Sequence, residues 1–459
     1  MTIETERIET SGKKMASWAF GDIIGYYLSA AYGTFIFFFY EVEVGLSVLL
    51  VSLALIIFAI WNAINDPIVG YLTDKPFKWT KKRGYRFPWI MIGVFPTLLC
   101  YFLLYTPPLA SDQWTIFIYL VITLCLFDFF FSLYGVHFYG SFTMQFRSDD
   151  ERRKASVYTN IIPGLGVLGV SIIPPIIIVF GDIESYAFAA LIVIIVLAIF
   201  AIILIPGVRE TEEVKDIYIQ GYETAKKVSF IKTAKISFKH KNFTVYTIVI
   251  LLFSTGGALF AASELYYFKD ILRLPYSYAL YTVLAGAIAF TVTVPIWFYI
   301  AKRIGHAHTF AMGLLFFSLS LVPFMFITTF EQYFIAYIFI GIGLSAFGFI
   351  YYAIFADVND EVALTLEKRL ESTLTGIRTV VIRLSIVFQV IIIAVIHIAT
   401  GYNPGGTQTE EALWGIRLHA SLIPAILVFV AFLLVIKWYD LKGEKKEKLF
   451  AALKEKGLK

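Results

Sequence analysis

Long stretches of this chain carry no Lys, Arg, Asp or Glu, and the charged residues gather in short patches between them. The uncharged stretches run over 44–65, 87–111, 114–127 continued by 129–146, 155–181, 185–208, 242–263, 274–301, 304–330, 332–356, 384–409 and 418–436. Residues 16–40 add a first stretch with one acid, Asp22, and 371–400 form a single span entered through Arg378 and Arg383. A bilayer core takes about 20 mostly apolar residues per helix. The runs lack the apolar–polar alternation of a membrane β-strand. The pattern therefore predicts an all-α membrane protein with twelve transmembrane helices.

The charged patches set the orientation. Assigning alternate loops to opposite sides places 33 of the 38 Lys and Arg on one side. The other side holds only Lys269, Arg273 and Arg417, while Arg378 and Arg383 fall within a span. Cytoplasmic loops carry the excess of basic residues, so both termini are expected in the cytoplasm, with the plasma membrane as the location. The polar N-terminus lacks the basic–apolar–small order of a signal peptide, and the first helix is expected to be retained.

Composition agrees. Of 459 residues 59% are apolar and 16% charged, against roughly 25% charged in an average soluble protein. The mean hydropathy is +0.76. This excludes a soluble enzyme, a nucleic-acid binder and a disulfide-stapled module. Cys100 and Cys125 lie in apolar runs and imply no disulfide framework.

The longest basic loop, 209–241, separates two six-helix halves. The expected organisation is an N-terminal bundle over 1–208, a cytoplasmic linker over 209–241, a C-terminal bundle over 242–438 and a basic tail over 439–459. Weak internal symmetry marks many transporters. Here Asp66–Lys75 aligns with Val294–Arg303, matching Pro67 with Pro295, Ile68 with Ile296 and Tyr71 with Tyr299. The two bundles are expected to be pseudosymmetric.

An ionisable group inside a span costs about 2.5–3.5 kcal/mol on insertion scales, so each needs a reason. Asn62, Asn65 and Asp66 are spaced i, i+3, i+4 and share one helix face. A carboxylate with two amide neighbours can ligate a hard cation through oxygen or hold a proton; the plainer reading is helix-end satisfaction. Asp128 lies deep in the fourth span, with no interface near for snorkelling. Asp22 lies near the start of the first span, where snorkelling competes with function, and Glu264 near the outer end of the seventh. Thr375, Thr379 and Arg383 form one stripe, and Arg383 is expected to seek Asp66 or Asp128. Arg378 points elsewhere, toward the cytoplasm. His137 suits a proton relay or, more simply, a hydrogen-bonded core position. His306 and His308 lie in a short basic loop and are expected to be solvated. Gly164, Gly166 and Gly169 spell G-x-G-x-x-G, but without the βαβ setting that a dinucleotide site needs.

Residues 61–93, beginning Trp61-Asn-Ala-Ile-Asn-Asp-Pro67, resemble the signature of the glycoside–pentoside–hexuronide:cation symporters, melibiose-permease-like members of the major facilitator superfamily. Residues 135–156 and 356–372 fit the same family, the latter at Ala356, Asp357, Asp360, Arg369, Glu371 and Ser372. The resemblance implies two six-helix bundles and alternating access. It implies that Asp66, Asn62, Asn65 and Thr379 serve the coupling cation, with Asn62 standing where the family carries a second aspartate. One acid fewer implies weaker Na+ binding and favours H+. It implies substrate contacts from Asp22, Tyr26, Tyr139, Asn160 and Arg383, to which Asp128 is added for its depth in the span. Tyr139 fills the place of an aromatic that stacks on sugar. Gly135 stands at a sugar-binding aspartate, Asn160 at an arginine and Arg383 at a lysine.

The expected function is a symporter for a small polar solute, a sugar or glycoside, coupled to H+ or Na+ (with a Na+ site at Asp66). No other cofactor is expected. The expected partners are the small-molecule substrate and membrane lipid, with no nucleic acid, and the protein is expected to be a monomer. A superfamily branch moving lysophospholipids shares the W-x-A-I-x-D-P element, which makes an amphiphile the alternative cargo. A membrane-embedded enzyme would need His and acids clustered at one depth, and a transporter-derived receptor would bind without transport.

Overall fold

A computed structural model describes residues 10–73, 77–109, 111–146, 149–212, 215, 230–367 and 371–456. Residues 213, 214 and 216–229 of the linker expected over 209–241, and Arg369 of the third family patch, lie outside these residues.

The described chain is helical without strands. Lipid offers no hydrogen bonds to backbone, so each span must satisfy its own N–H and C=O groups. Among the described residues eleven helices are long and apolar enough to cross a membrane: α1 Gly12–Glu43, α2 Val48–Gly70, α4 Gln113–Phe142, α5 Lys154–Ile177, α6 Ile183–Val208, α7 Lys241–Leu272, α8 Tyr276–Ile304, α9 His306–Met325, α10 Phe330–Leu366, α11 Leu374–Thr400 and α12 Glu410–Trp438. The shorter α3, Phe87–Leu103, completes the twelve runs read from the sequence. An amphipathic α13, Gly443–Glu455, follows.

Side-chain caps mark where several spans begin. Asp112 accepts from the backbone N–H of Trp114 and Thr115, and Asp182 from those of Glu184 and Ser185. Thr329 and Thr409 cap the helices that begin at Phe330 and Glu410. Each satisfies backbone N–H groups that the first helical turn leaves open. On α8, Ile288, Val292 and Ile296 form an exposed stripe at i, i+4, i+8, the apolar surface that a lipid-facing helix presents.

The chain forms two compact units, residues 1–32 with 53–226, and residues 33–52 with 227–459. The ends of α1 and α2 nearest their connection thus pack with the later helices.

In the first unit small residues let helices approach closely. Trp18 of α1 stacks on Phe138 of α4 with ring centroids 4.3 Å apart, and its Nε1 donates to Ser141 Oγ at 2.8 Å. Ser17 donates to Ile203 O at 2.5 Å and accepts from Gly207 N at 2.8 Å, tying α1 to α6. Gly84 ends the short helix Thr80–Arg83 at φ 97, and a Cβ there would lie 2.0 Å from Glu210 Oε2. Burial pushes the Glu210 carboxyl above its usual range, although Arg86 N donates to it at 3.1 Å. Gly84→Ala is therefore expected to cost about 1–3 kcal/mol through positive-φ strain and displacement of Glu210. A melting temperature equal to wild type would contradict this.

In the second unit Phe253 of α7 stacks on Phe347 of α10. Ser318 donates to Ala425 O and Ser421 to Leu321 O, both at 2.8 Å, joining α9 to α12. A charged latch holds α13. Lys446 pairs with Asp357, which also meets His306 Nδ1 at 3.2 Å. His306, expected to be solvated, keeps 41% of its side chain exposed while its Nδ1 faces the Asp357–Lys446 pair. Lys445 meets Asp440 at 2.5 Å, and Asn242 Nδ2 donates to Asp440 Oδ1 at 2.8 Å. Burial opposes ionisation of Asp440, but its bonds from Lys445 and Asn242 and the nearby lysine charges hold its carboxyl below the usual range.

Candidate functional site

The polar face of α2 meets a polar strip of α4. Asn62, Asn65 and Asp66 lie within one turn of α2; Asp128 and Ser132 are one turn apart on α4. Asn62 Nδ2 donates to Asp128 Oδ1. Asn65 Nδ2 donates to Asp128 Oδ2 at 2.9 Å and to the Asp128 carbonyl at 3.1 Å. One turn along, Ser132 Oγ donates to Asp66 Oδ1. Trp61 Nε1, donating to Cys125 O at 3.1 Å, pins the same two helices.

This cluster is buried. Asn65 and Asp128 are each 1% exposed, Asn62 is buried and Asp66 half-buried. Both amides spend N–H donors on Asp128, which turns their oxygens elsewhere. Asn65 Oδ1 has no hydrogen-bond partner among the described residues. A buried acceptor left over costs roughly 1–3 kcal/mol, and a bound cation would satisfy it. The donor set is two carboxylates, amide oxygens and a hydroxyl, all hard oxygen ligands. Such a set suits a bound cation or a proton.

Sequence reasoning placed Asp66, Asn62 and Asn65 together but assigned Asp128 to substrate; the structure brings Asp128 onto the two asparagines. It missed Ser132, which stands out only once Asp66 is found opposite it. Thr379 lies on α11 in the second unit and donates back to Thr375 O at 3.0 Å. Arg383, half-buried, lies on the same helix.

The aromatic substrate candidates come together on α1 and α4. Asp22 is buried, while Tyr26, one turn on, is exposed. Tyr134 Oη donates to Gly21 O at 2.7 Å, and a Cβ at Gly25 would meet Tyr139 Oη at 2.4 Å. Tyr139 therefore sits against the turn that carries Asp22 and Tyr26, with 46% of its own surface open. The absent side chain at Gly135 leaves room beside the Tyr139 ring, 3.8 Å from where its Cβ would be. The side chain of Asn160 lies outside the described residues.

Two further expectations resolve. His137 bonds through Nε2 to Thr73 Oγ1 at 2.8 Å and stacks on Trp89, the simpler of its two readings. Arg378, expected to reach the cytoplasm, instead lies over Phe355 at 4.4 Å and Tyr351 at 5.0 Å. A weakly hydrated guanidinium gains cation–π attraction there.

Known proteins complete the description. The chain is 25% identical over 314 residues to "Sodium-dependent lysophosphatidylcholine symporter 1-A" of Danio rerio, covering 60% of this chain and 55% of that protein. The match to the Mus musculus "Sodium-dependent lysophosphatidylcholine symporter 1" is 23% over 460 residues, covering 88% and 81%. The "Raffinose carrier protein" of Pediococcus pentosaceus is 24% identical over 430 residues, covering 88% and 64%. The chain thus spans about half the length of the zebrafish relative and under two thirds of the raffinose carrier. Among solved structures, nucleoside transporter NupG superposes with a TM-score of 0.59 at 12% identity over 93% of this chain and 98% of that one. A POT family transporter gives 0.57 at 12% identity over 92% and 94%. Those structures are similar to this chain in fold. The family described as MFS/sugar transport protein matches residues 17–443, from the first span to the start of α13, and the chain belongs to it.

Proposed function

We propose that this protein is a Na+-coupled symporter that moves a sugar or glycoside across the plasma membrane, acting as a monomer with both termini in the cytoplasm. The observation that carries the proposal is the cluster of Asp128, Asn62 and Asn65. Asp128 supplies the second carboxylate that this chain, with Asn62 in place of the family's aspartate, lacks on α2, and cation affinity follows the number of charged oxygen ligands. That raises Na+ above H+ as the coupling ion.

Asp66 and Asp128 would share the cation, with Asn62, Asn65 and Ser132 fixing their positions. Without it, the carboxylates of Asp66 and Asp128 on neighbouring helices repel; with it, α2 and α4 draw together. Bound cation and substrate would bias alternating access of the halves 1–208 and 242–438 around a midplane site. Asp22, Tyr26 and Tyr139 would receive the solute, the tyrosine ring stacking on an apolar sugar face, with Asn160 and Arg383 completing the contacts. Thr379 would join the cation site in one of the alternating states.

A second cargo, lysophospholipid, has support from the relatives named lysophosphatidylcholine symporters and from Gly135, which lacks a sugar-binding carboxylate. The test is uptake into proteoliposomes of radiolabelled raffinose and of lysophosphatidylcholine, each with an inward Na+ gradient or with a pH gradient alone. Raffinose accumulation that needs Na+ is expected. Accumulation of the lysophospholipid alone would establish the second cargo, and equal uptake without Na+ would overturn Na+ coupling.

A further inference from the structure

A second set of buried ionisable groups lies apart from the α2–α4 cluster, wholly within the second unit. Glu41 sits in a π-helical turn, Phe39–Glu43, at the end of α1 and is 1% exposed. Tyr266 Oη donates to its Oε2 at 2.5 Å, and His397 Nδ1 lies 2.8 Å from its Oε1. His397 turns its other nitrogen to His419, Nε2 to Nε2 at 3.2 Å. His419 Nδ1 is 2.6 Å from Ser263 Oγ, and Ser263 Oγ donates to Leu259 O at 2.5 Å. His397 is 2% exposed and His419 0%.

This line can be counted in protons. Four contacts join Glu41, His397, His419, Ser263 and the Leu259 carbonyl, and each needs one hydrogen. Ser263 has a single hydroxyl hydrogen, directed at Leu259. Two neutral imidazoles carry one N–H each, one short of the three still needed. One further proton completes the line. It does so either as an imidazolium beside the Glu41 carboxylate or as a protonated Glu41 with both imidazoles neutral. Without that proton, Ser263 must turn its hydroxyl to His419 Nδ1 and release Leu259. The two states also differ in charge: the line is neutral with the proton and carries one buried negative charge without it.

The surroundings hold the line in place. Tyr402 stacks on His397 at 4.3 Å and donates to Asp270 Oδ2 at 2.8 Å; Lys269 neutralises Asp270 from 3.1 Å. Glu264 is buried on α7 beside Ser263, and Glu43 and Arg417 lie two residues from Glu41 and His419. Arg417 donates to Ile327 O at 3.4 Å. Three widened turns converge here: Phe39–Glu43 carries Glu41, Leu418–Leu422 carries His419, and Tyr267–Leu272 follows Tyr266. Such π turns occur mostly at functional sites, and intramembrane ionisable residues mark ion and proton paths.

We propose that Glu41, His397 and His419 form a proton-binding site that holds one exchangeable proton along this line. The proposal does not depend on the Na+ reading of the α2–α4 cluster. Both states with the extra proton place a hydrogen on His419 Nδ1, and the state without it leaves that nitrogen bare. The test uses the full-length protein, labelled with 15N-histidine, in detergent micelles from pH 5 to 10. His397→Gln and His419→Gln assign the signals. The expected result is a hydrogen on His419 Nδ1 at low pH that is lost in one step, at which His397 changes too. Glu41→Gln should abolish the step, because the extra proton would then be a lone buried charge. A His419 Nδ1 state constant from pH 5 to 10, or a step that persists unchanged in Glu41→Gln, would overturn the proposal.

Discussion

Asp128→Asn is expected to lower Na+ affinity by about 100-fold or more, because hard-cation affinity tracks the number of charged oxygen ligands. The substitution keeps the size of the side chain; it loses one of the two acceptor oxygens that Asn62 and Asn65 use, but its new N–H can donate to Asn65 Oδ1 when that amide turns over, so the fold should hold. Asp66→Asn should act in the same direction, since Ser132 can still donate to the amide oxygen. The measurement is the Na+ concentration giving half-maximal uptake, together with the Na+-dependent rise in melting temperature of the purified protein. Ligand that binds only the folded state raises stability by mass action, about 2.7 kcal/mol at 100 times its Kd. Both variants should lose that rise while keeping the wild-type melting temperature without Na+. If Asp128→Asn keeps the Na+ dependence and Asp66→Asn loses it, Asp128 serves the substrate, as sequence reasoning assigned it.

The second large effect concerns packing. Gly341→Val is expected to destabilise the second unit by about 3 kcal/mol or more. A Cβ at Gly341 would lie 2.3 Å from the carbonyl oxygen of Gly286, and the rest of that peptide is only 3.0 Å away. A neighbouring side chain can rotate aside, but a backbone carbonyl engaged in its own helix cannot. The helices α8 and α10 would have to separate, and with them the hydrogen bonds of Thr293 to Ser345 at 2.7 Å and Trp297 Nε1 to Ile342 O at 3.1 Å. Detergent thermal melting reads the loss directly. As a control, Gly257→Val on α7 should be mild, since nothing lies within 4 Å of a Cβ there. Equal melting of the two variants would refute the backbone-contact argument.

Part of the site is legible in the amino-acid sequence. Asn62, Asn65 and Asp66 are close in the chain, and helical periodicity alone puts them on one face. Asp128 stands out because a carboxylate in mid-span needs a partner, yet its partners lie 63 and 66 residues away. No periodicity reaches across that separation. Ser132 carries no signal of its own, because serine is unremarkable in a membrane helix until a carboxylate is found opposite. Glu41 and His419 lie near the ends of uncharged runs, where interfacial positions are the natural reading. His397 is flanked by apolar residues and joins Glu41 only across 356 residues. Arg378 misleads for a related reason. Its helix position allows snorkelling, and only the aromatic rings of α10 draw it inward.

Solvation accounts for what can be read from residues alone. Uncharged runs of about 20 residues must be helices in lipid, because nothing else satisfies their backbone. The number of spans, the all-α class and the lopsided basic loops follow from local composition. The pairing of Asp128 with Asn62 and Asn65, the line from Glu41 to Ser263, and the contact of Gly341 with Gly286 were decided by tertiary structure alone. Each depends on which helix faces align and how closely their backbones approach. Helix faces far apart in the chain are matched by summed packing over many residues, and no single stretch of sequence encodes that sum.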